Sequence, residues 1–415
     1  MKIFEKVLLF LLIIICIAIV FLYFEDKAQK EKEAKEQALI EERKKIELVL
    51  EKKRKVYLNE SEKLFSGYFY DEAIQKLKED PQIINYTISE KINEYTIAKN
   101  NLVKYEGKVE HIFFHSLILY PEYLFPDLKK PDDGYNAGFI YKSEINKILP
   151  ELLTRGYVLY DITKLFKKND FGIMEMQDIY LPEGKKPLIL SVDDPSYHYG
   201  IGFAKRLVID NNNNKLTGEV IIPEGNIILS EDSDVELVIE KFIENYPGFS
   251  YKGARGTIAT TGFNGIFGYD LKTEFSKQSA KEVVDKLKEM GWSFASHSYT
   301  HNRKRFFSNG SKISNIEYDT KKWKEEIEPI VGKTNIFIAP FGYLLKGQAL
   351  EVILNNGFDI YGTVGIKAKT LVNDRYVLMS RNEIGGYALR MYKEEMNNRF
   401  FNLDEVIDLY RPPLK

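Results

Sequence analysis

The segment Leu188–Val192 is a largely apolar run that ends on two adjacent carboxylates, Asp193 and Asp194. Such a run is typical of a fully buried strand in a parallel sheet. Two charges at the tip of a buried strand cost free energy unless another group pairs with them. Because α/β proteins place their chemistry at the carboxyl edge of a parallel sheet, the segment predicts an α/β fold with a polar site at that edge.

The segment Ser296–His301 offers partners for these carboxylates. Its histidines, His297 and His301, follow the strand-like run Trp292–Ala295, and a helical turn would place both on one face. One Asp and two His can hold a metal ion and leave a fourth position open. The second Asp is then left to act as a base. Alone, an Asp pair is more often a turn and this His spacing a solvated helix face, but here each follows its own buried strand.

Strand-like runs and amphipathic helix patterns alternate from Val109 onward. Repeated strand–helix units imply a parallel sheet with right-handed crossovers, closed or nearly closed as a barrel. A β-hairpin is predicted within this alternation, with arms Arg206–Ile209 and Gly218–Ile222 around the turn signal Asp210–Asn214. The predicted strands are Val109–Phe114, Tyr157–Tyr160, Leu188–Val192, Gly256–Thr260, Trp292–Ala295, Asn335–Ala339 and Phe358–Val364, and the predicted helices are Ser143–Arg155, Asp234–Tyr246, Ser279–Met290, Ile316–Val331 and Gln348–Asn356.

Val7–Phe24 is a run of 18 residues without a charge, which is long enough to span the hydrocarbon core of a bilayer as a helix. Lysines precede the run and an acidic pair follows it, so the positive-inside rule predicts a cytoplasmic amino terminus and an extracellular main domain. No small-x-small cleavage pattern follows, which favours a retained anchor at residues 1–24 over a cleaved signal peptide. We therefore expect a single-pass protein of the cell membrane that contacts lipid through this helix.

Residues 25–57 are dominated by charge, since 20 of the 31 residues from Glu25 to Lys55 are Asp, Glu, Lys or Arg. Such a stretch cannot form a core, but i,i+4 ion pairs can hold it as a helix reaching about 45 Å. A spacer is the preferred interpretation, and a weak coiled coil that forms a homodimer is the alternative. Residues 58–106 are predicted to form a small helical neck, and residues 107–415 the main domain.

The composition narrows the classes of partner. The formal net charge of the 415-residue chain is −2, so no global positive field favours nucleic acid. Cys16 is the only cysteine, which excludes an intramolecular disulfide. The stability of the fold must therefore come from core packing.

Both halves of the predicted site resemble motifs of the polysaccharide deacetylases, the NodB-homology or carbohydrate esterase family 4 group. Ser191-Val-Asp-Asp194 is similar to the first motif of that family, and Ser296-His-Ser-Tyr-Thr-His301 is similar to the second, more specific one. The resemblance covers about residues 108 to 400. It implies a distorted (β/α) barrel of about seven strands, preceded here by the transmembrane helix and the helical spacer and neck.

The resemblance also implies the roles of the motif residues. It makes Asp193 the general base. It makes Asp194, His297 and His301 the ligands of a divalent metal. That metal is most simply Zn²⁺, with Co²⁺, Ni²⁺ and Fe²⁺ as alternatives.

His115 stands at the end of the first predicted strand, within the segment Ile112–Ser116. This segment is similar to the Met-Tyr-His segment that opens the subgroup acting on poly-N-acetylglucosamine, and the resemblance implies His115 as the general acid. No histidine follows His301, so a histidine acid would have to be His111, His115 or His198. Only His115 is predicted at the carboxyl tip of a strand, where the alternative is a structural histidine.

Pro340-Phe-Gly342 is similar to part of the family's third motif. The family's Arg two residues before that Pro is absent, and Ile338 stands there. Arg381 resembles an Arg late in the subgroup's chain and is the candidate to replace it. The residues expected on the substrate side are Pro340, Phe341, Gly342, Arg381 and, in the loop after the Asp pair, His198.

The implied activity is the metal-dependent removal of N-acetyl groups from a cell-wall or extracellular polysaccharide that contains N-acetylglucosamine, with release of acetate. One alternative is a catalytically inactive, membrane-tethered glycan-binding or scaffold protein, because Ile338 and Pro195 depart from the family pattern. Two His and one carboxylate also describe a non-haem iron oxygenase. That class is built on a double-stranded β-helix, whereas this chain reads as strand–helix units.

Overall fold

The computed structural model describes residues 2–132 and 134–414. Contacts between residues divide the chain into two compact units. The first comprises the chain up to Phe65 together with Tyr70–Ile97, and the second comprises Ser66–Phe69 together with the chain from Ala98 onward. Each unit has buried apolar clusters of its own.

The first unit is helical. Helix α1, Lys2–Ser66, runs without interruption through both the apolar and the charged stretches, because the sequence contains no Gly or Pro before Gly67. By length and composition this helix can cross a membrane. Helices α2, Tyr70–Lys78, and α3, Tyr86–Asn100, follow. The small core of the unit is formed by Ala73, Leu77, Ile88 and Tyr95.

The second unit is built on a closed barrel of seven parallel strands, which confirms the predicted fold class. Each strand pairs with the next in chain order, and the last pairs with the first through Asn382 and Ile112. The strands are β1 (Glu110–Phe114), β2 (Lys186–Asp193), β3 (Thr257–Thr260), β4 (Ser293–Ser296), β5 (Ile336–Ile338), β6 (Ile360–Val364) and β7 (Val377–Glu383).

The closed ring places all seven carboxyl ends at one rim. Strand β2 is buried from Pro187 to Asp193, as its continuous apolar pattern predicts. Polar residues follow at the ends of β1, β2 and β4, where His115, Asp194 and His297 begin their loops. The rim is therefore where side chains distant in sequence can converge.

Five longer helices lie in the connections and contribute apolar side chains to the core of this unit. They are α4 (Lys142–Thr154), α5 (Val235–Asn245), α6 (Glu274–Glu289), α7 (Ile313–Glu326) and α8 (Gln348–Asn355).

Two of the predicted helices have wrong boundaries. Helix α6 begins at Glu274 and not at Ser279, because the Thr273 side chain accepts a hydrogen bond from the Ser276 N–H and caps the helix earlier. Helix α7 ends at Glu326, and a separate turn, Glu328–Val331, follows it. Pro329 has no N–H to continue the helix.

The connection between β2 and β3 contains the predicted hairpin. Strands Ala204–Asp210 and Lys215–Ile221 pair antiparallel, and a third strand, Ile227–Ser230, adds to the second. Asn214 closes the turn with a φ of 57°, a conformation that Asn tolerates better than most residues. The third strand was not predicted.

The remaining elements are short. The strands are Val103–Lys104, Leu117–Ile118, Ile140–Tyr141, Tyr157–Leu159, Phe166–Lys168, Met174–Met176, Tyr180–Leu181 and Thr370–Val372, and the helical turns are Pro81–Ile83, Pro121–Leu124, Tyr135–Gly138, Ile162–Lys164, Pro247–Phe249, Tyr251–Gly253, Arg303–Phe306, Glu328–Val331, Pro340–Gly342, Gly386–Met391, Lys393–Arg399 and Leu403–Val406.

Candidate metal centre

Asp193 and Asp194 both face the imidazole of His297. Consecutive residues on a strand point to opposite faces, but β2 ends at Asp193 and Asp194 has a φ of 57°. This left-handed residue turns the second carboxylate toward the first. As a result, His297 Nε2 lies 4.0 Å from Asp193 Oδ2 and 3.7 Å from Asp194 Oδ2.

Asp194, His297 and His301 form a group of three side chains that could hold a metal ion, called the ligand set from here on. One ligand atom from each lies within 4.8 Å of the others, and His301 Nε2 is 3.2 Å from Asp194 Oδ2. Tetrahedral zinc, with bonds of about 2.0–2.2 Å, separates its ligand atoms by roughly 3.3–3.5 Å. Burial raises the pKa of Asp194, so its carboxylate is better stabilised beside a cation. The donors and their spacing therefore fit a small divalent ion.

The imidazole of His297 is oriented by a backbone carbonyl. Its Nδ1 lies 2.7 Å from the Ile338 oxygen, and since a carbonyl only accepts, Nδ1–H donates and Nε2 carries the lone pair. This contact is the kind that fixes the tautomer of a metal-binding histidine. Burial lowers the pKa of His297. For His301, burial and then the charge of His115 lower the pKa to about 4, so both rings are neutral at neutral pH.

The loop between the two histidines is not the helical turn considered from the sequence. Ser298 and His301 have φ values of 63° and 45°, and the chain bends between them. Asp319 of α7 holds the bend, because its buried carboxylate accepts hydrogen bonds from the N–H groups of Tyr299 and Thr300, both at 2.8 Å. Asp319 was not predicted, and its only sequence signal is an acidic residue on a buried helix face.

Arg381 lies directly behind Asp193. Its Nη1 and Nη2 donate to the two carboxylate oxygens at 2.8 and 2.9 Å. Burial, the largest single influence, would raise the pKa of Asp193, but the charge and hydrogen bonds of Arg381, together with the charges of His297 and His115, outweigh burial and lower the pKa to about 2. The carboxylate is therefore ionised at neutral pH and available as a base. Arg381 is 0% exposed, so it cannot contact a polymer. It does not lie on the substrate side, as predicted, but behind Asp193.

Ser191 contacts Arg381, and His111 in turn contacts Ser191. Nη1 also donates to Ser191 Oγ at 3.0 Å, and His111 Nε2 is 3.0 Å from the same oxygen. Burial and then the Arg381 charge keep the pKa of His111 well below its ordinary value, so this ring is neutral. The chain His111–Ser191–Arg381 fixes the guanidinium that holds the base. Neither His111 nor Ser191 was assigned this place from the sequence.

His115 stands at the tip of β1, as predicted. Its Nδ1 is 3.1 Å from the Gly138 oxygen, so Nδ1–H donates and Nε2 is the nitrogen available to carry a proton toward the site. Glu383 Oε1 is 4.0 Å from the same Nδ1, and burial raises the pKa of Glu383. The pKa of Asp194 is raised by burial, and the charge of His115 is among the influences that oppose this rise. The ring therefore lies within electrostatic reach of the ligand set.

The predicted substrate-side residues separate into buried and exposed ones. Pro340 is buried, whereas the Phe341 ring is 48% exposed and its centroid is 4.5 Å from that of His301. Gly342 has a φ of 64°, and a Cβ there would lie 2.6 Å from Val364 Cβ. Glycine is therefore required at this turn, and the turn presents Phe341 beside a ligand histidine.

His198 lies in the loop that Asp194 begins. It is exposed, its Nδ1 is 2.7 Å from Ser196 Oγ, and its ring contacts Phe263 edge to face. A cavity of ≈ 510 Å³ is lined by residues that include His198 and Tyr299. The cavity thus adjoins both loops that supply the ligand set.

The chain is similar to several solved structures. One is the Streptococcus pyogenes deacetylase PplD in complex with acetate, at 13% identity and a TM-score of 0.39, covering 71% of this chain and 98% of that one. Another is a de-N-acetylase from Aggregatibacter actinomycetemcomitans, at 15% identity and a TM-score of 0.41, covering 70% and 99%. A third is IcaB from Ammonifex degensii, at 14% identity and a TM-score of 0.39, covering 68% and 93%.

Protein-family models and curated proteins give no match. Two of these three solved structures are named as a deacetylase or a de-N-acetylase. Since these likenesses are distant, the chemistry proposed below rests on the geometry of the side chains.

Proposed function

We propose that the protein is a metal-dependent hydrolase that removes N-acetyl groups from a polysaccharide containing N-acetylglucosamine. The observation that supports this most is the placement of an ionised base beside a three-ligand set. Asp193, held by Arg381, lies 4.0 Å from His297, which itself approaches Asp194. Metal-assisted hydrolysis of an amide uses a base, a site for a Lewis acid and an acid for the leaving amine.

A divalent ion held by Asp194, His297 and His301, most simply Zn²⁺, would lower the pKa of a water molecule and polarise the acetamide carbonyl. Asp193 would take a proton from the attacking water molecule, whose oxygen would form the new bond to the carbonyl carbon. His115 Nε2 then donates a proton to the departing nitrogen as the carbon–nitrogen bond breaks. The products are acetate and a free amino sugar.

Arg381 supports the base in this scheme. Its bidentate contact keeps the carboxylate of Asp193 ionised despite burial. A guanidinium also fixes the direction of both carboxylate oxygens. Arg381 of β7 thereby takes the place of the family's arginine, which the sequence lacks at position 338.

Substrate access and location follow from the surface around the site. The exposed ring of Phe341 and the cavity beside His198 and Tyr299 offer stacking and polar contacts for a sugar chain. The apolar part of α1 would anchor the protein in the cell membrane, with a cytoplasmic amino terminus and the barrel outside. A cell-wall or extracellular polymer is then the accessible substrate. Homodimerisation through the charged part of α1 stays a prediction.

The inactive glycan-binding alternative depended on two departures from the family pattern, Ile338 and Pro195, and the first of them is the missing arginine. Because Arg381 contacts Asp193 with both terminal nitrogens, a catalytic role is the better supported of the two. The oxygenase alternative does not fit a closed ring of parallel strands.

The test is acetate release by the full-length protein in detergent. Chitooligosaccharide, a poly-N-acetylglucosamine oligomer and peptidoglycan are each incubated with and without a chelator. We expect release from at least one polymer, loss of activity with chelator and recovery on adding Zn²⁺. Glycan binding with no acetate release under any metal would contradict the proposal and favour the inactive alternative.

A further inference from the structure

Arg411 is a buried arginine whose side chain contacts the helical turn Tyr135–Gly138. Its Nε and Nη2 donate to the two carboxylate oxygens of Glu144 in α4, at 2.6 and 2.7 Å. Its Nη1 donates to Asn136 O at 2.8 Å and to Asn136 Oδ1 at 3.0 Å, and Nη2 also donates to Phe139 O at 2.7 Å. A guanidinium has five N–H donors, so two bind a carboxylate here and three hold the turn and the residue after it.

The same turn is held by two further contacts. The Asn136 side chain donates through Nδ2 to Pro412 O at 2.9 Å, which joins the turn to the residue after Arg411. From the other side, the loop after β7 packs so closely that a Cβ on Gly385 would lie 2.7 Å from the Gly138 oxygen. The Gly138 carbonyl is therefore fixed between two segments that are distant from it in sequence.

The Gly138 carbonyl orients the proposed general acid. It lies 3.1 Å from His115 Nδ1 and accepts the Nδ1–H, which leaves Nε2 to face the site. Arg411 binds the carbonyls of Asn136 and Phe139, which stand on either side of Gly138 in the chain. A displacement of the turn would therefore move the acceptor away from the imidazole and release the ring.

We propose that Arg411 is a positioning residue for the deacetylation, acting through the Gly138 carbonyl on His115. The inference rests on the proposed function, in which His115 Nε2 protonates the departing nitrogen. Misplacing a reacting group by about 1 Å can cost on the order of 10²-fold in rate. The acceptor that sets the direction of the ring therefore has to be held firmly, and Arg411 holds the backbone on both sides of it.

A contribution to stability alone is the competing explanation. Arg411 and Glu144 form an ion pair in which both side chains are 0% exposed, and breaking such a pair is costly whatever else it does. An ion pair needs only the donors that face the carboxylate, however, and Arg411 places its other three on the turn. The test must therefore measure proton donation to the leaving group and not stability alone.

The experiment compares two substrates of the full-length, Zn²⁺-loaded protein in detergent. The first is whichever of chitooligosaccharide, a poly-N-acetylglucosamine oligomer and peptidoglycan the native protein deacetylates fastest, and its amine must be protonated as it departs. The second is 4-nitrophenyl acetate, whose phenolate departs without a proton. For Arg411→Met we expect kcat for the polymer to fall by about tenfold or more, a part of the roughly 10²–10⁴-fold that a general acid contributes. KM, ester hydrolysis and bound Zn²⁺ should stay at the native level.

Two further variants separate positioning from stability. Arg411→Lys keeps a positive charge beside Glu144, so it should fold, but its single nitrogen cannot also hold the turn and it should lose polymer activity selectively. Arg255→Met is the matched control, because Arg255 makes a similar two-nitrogen contact with Glu240, at 2.6 and 3.0 Å, just before β3 begins. This control should lower the thermal midpoint and leave the ratio of polymer to ester activity unchanged.

A double-mutant cycle with His115→Gln locates the effect. When Arg411 acts through His115, Arg411→Met causes no further loss of kcat in the His115→Gln background. Equal losses for polymer and ester, or the same loss with and without His115, would overturn the proposal and leave Arg411 a role in stability only. A native protein that releases no acetate from any of the three polymers would instead refute the proposed function, and this inference with it.

Discussion

Arg381 donates to Asp193 through two parallel hydrogen bonds, Nη1 to Oδ1 at 2.8 Å and Nη2 to Oδ2 at 2.9 Å, between side chains almost fully removed from solvent. In sequence the two residues are 188 positions apart. The pair is a buried ion pair whose net stability is small when intact but whose disruption is costly, because one charge stays buried without its partner.

Arg381→Met should move the acidic limb of the pH–activity profile to higher pH. Burial still raises the pKa of Asp193 in this variant, and the charge that opposes burial is gone. The free energy of unfolding should fall by about 3–5 kcal/mol. The measurements are kcat/KM against pH and urea unfolding. Arg375→Met, at a surface pair with Glu351, is the control and should change neither.

The same ion pair predicts the acid stability of the native protein. The pKa of Asp193 is depressed in the folded state, from 3.8 to about 2, so its contribution to stability is present above pH ~3.8 and is lost as the pH falls through about 2. Asp193→Asn should therefore narrow the stability difference from the native chain as the pH is lowered through this window. Chemical unfolding at a series of pH values tests this, and a difference that is independent of pH below 4 would contradict it.

Asp193→Asn and Asp194→Ala should separate turnover from metal binding. Asn keeps the shape of the base but cannot accept a proton, so we expect bound metal at the native level and a loss of about 10²–10⁴-fold in kcat. Asp194→Ala removes a ligand and should lose the metal itself. Metal content by mass spectrometry and acetate release measure the two effects. Native activity of Asp193→Asn would exclude Asp193 as the base.

Ser191→Ala should reduce kcat several-fold with little change in KM. The Ser191 hydroxyl links His111 to Arg381, and without it the guanidinium loses one of its buried acceptors. Ser191→Thr keeps the hydroxyl and should restore most of the activity. Equal activity of the Ala and Thr variants would show that the contact only fills space.

Asp319→Ala should weaken metal binding by about 10–100-fold, the usual effect of removing a group that orients ligands. The Asp319 carboxylate holds the N–H groups of Tyr299 and Thr300, and the bend that presents His301 depends on both. Asp319→Asn retains an acceptor and should be intermediate. The readout is Zn²⁺ affinity by competition with a chelating dye, and an unchanged affinity in Asp319→Ala would refute the role.

The sequence was sufficient where the signal was local. The apolar run of β2 predicted the strand, and the carboxylates at its end predicted the edge where Asp194 meets His297 and His301, because burial and charge stand next to each other in the chain. The continuity of α1 also follows locally, from the absence of Gly and Pro before Gly67. Resemblance to a family added the division of roles between Asp193 and Asp194, which spacing alone left open.

The contacts that position the site were beyond local reasoning. His111 meets Ser191 across 80 residues, and Ser191 meets Arg381 across 190. Such pairs are set by the register of neighbouring barrel strands, which no single segment encodes. The start of α6 was missed for a different reason. Thr273 and Ser279 can both begin a helix, and the structure uses Thr273 as the cap.

The backbone at Asp194 also limits how this centre can be re-engineered. With a φ of 57°, the position suits Asp, Asn or Gly far better than residues with bulkier side chains. Replacing Asp194 by His, Cys or Glu to alter metal preference would therefore strain the main chain before any coordination bond formed. Exchanges at His297 avoid this obstacle, since its conformation is not left-handed, and they are the practical route to a centre with altered selectivity.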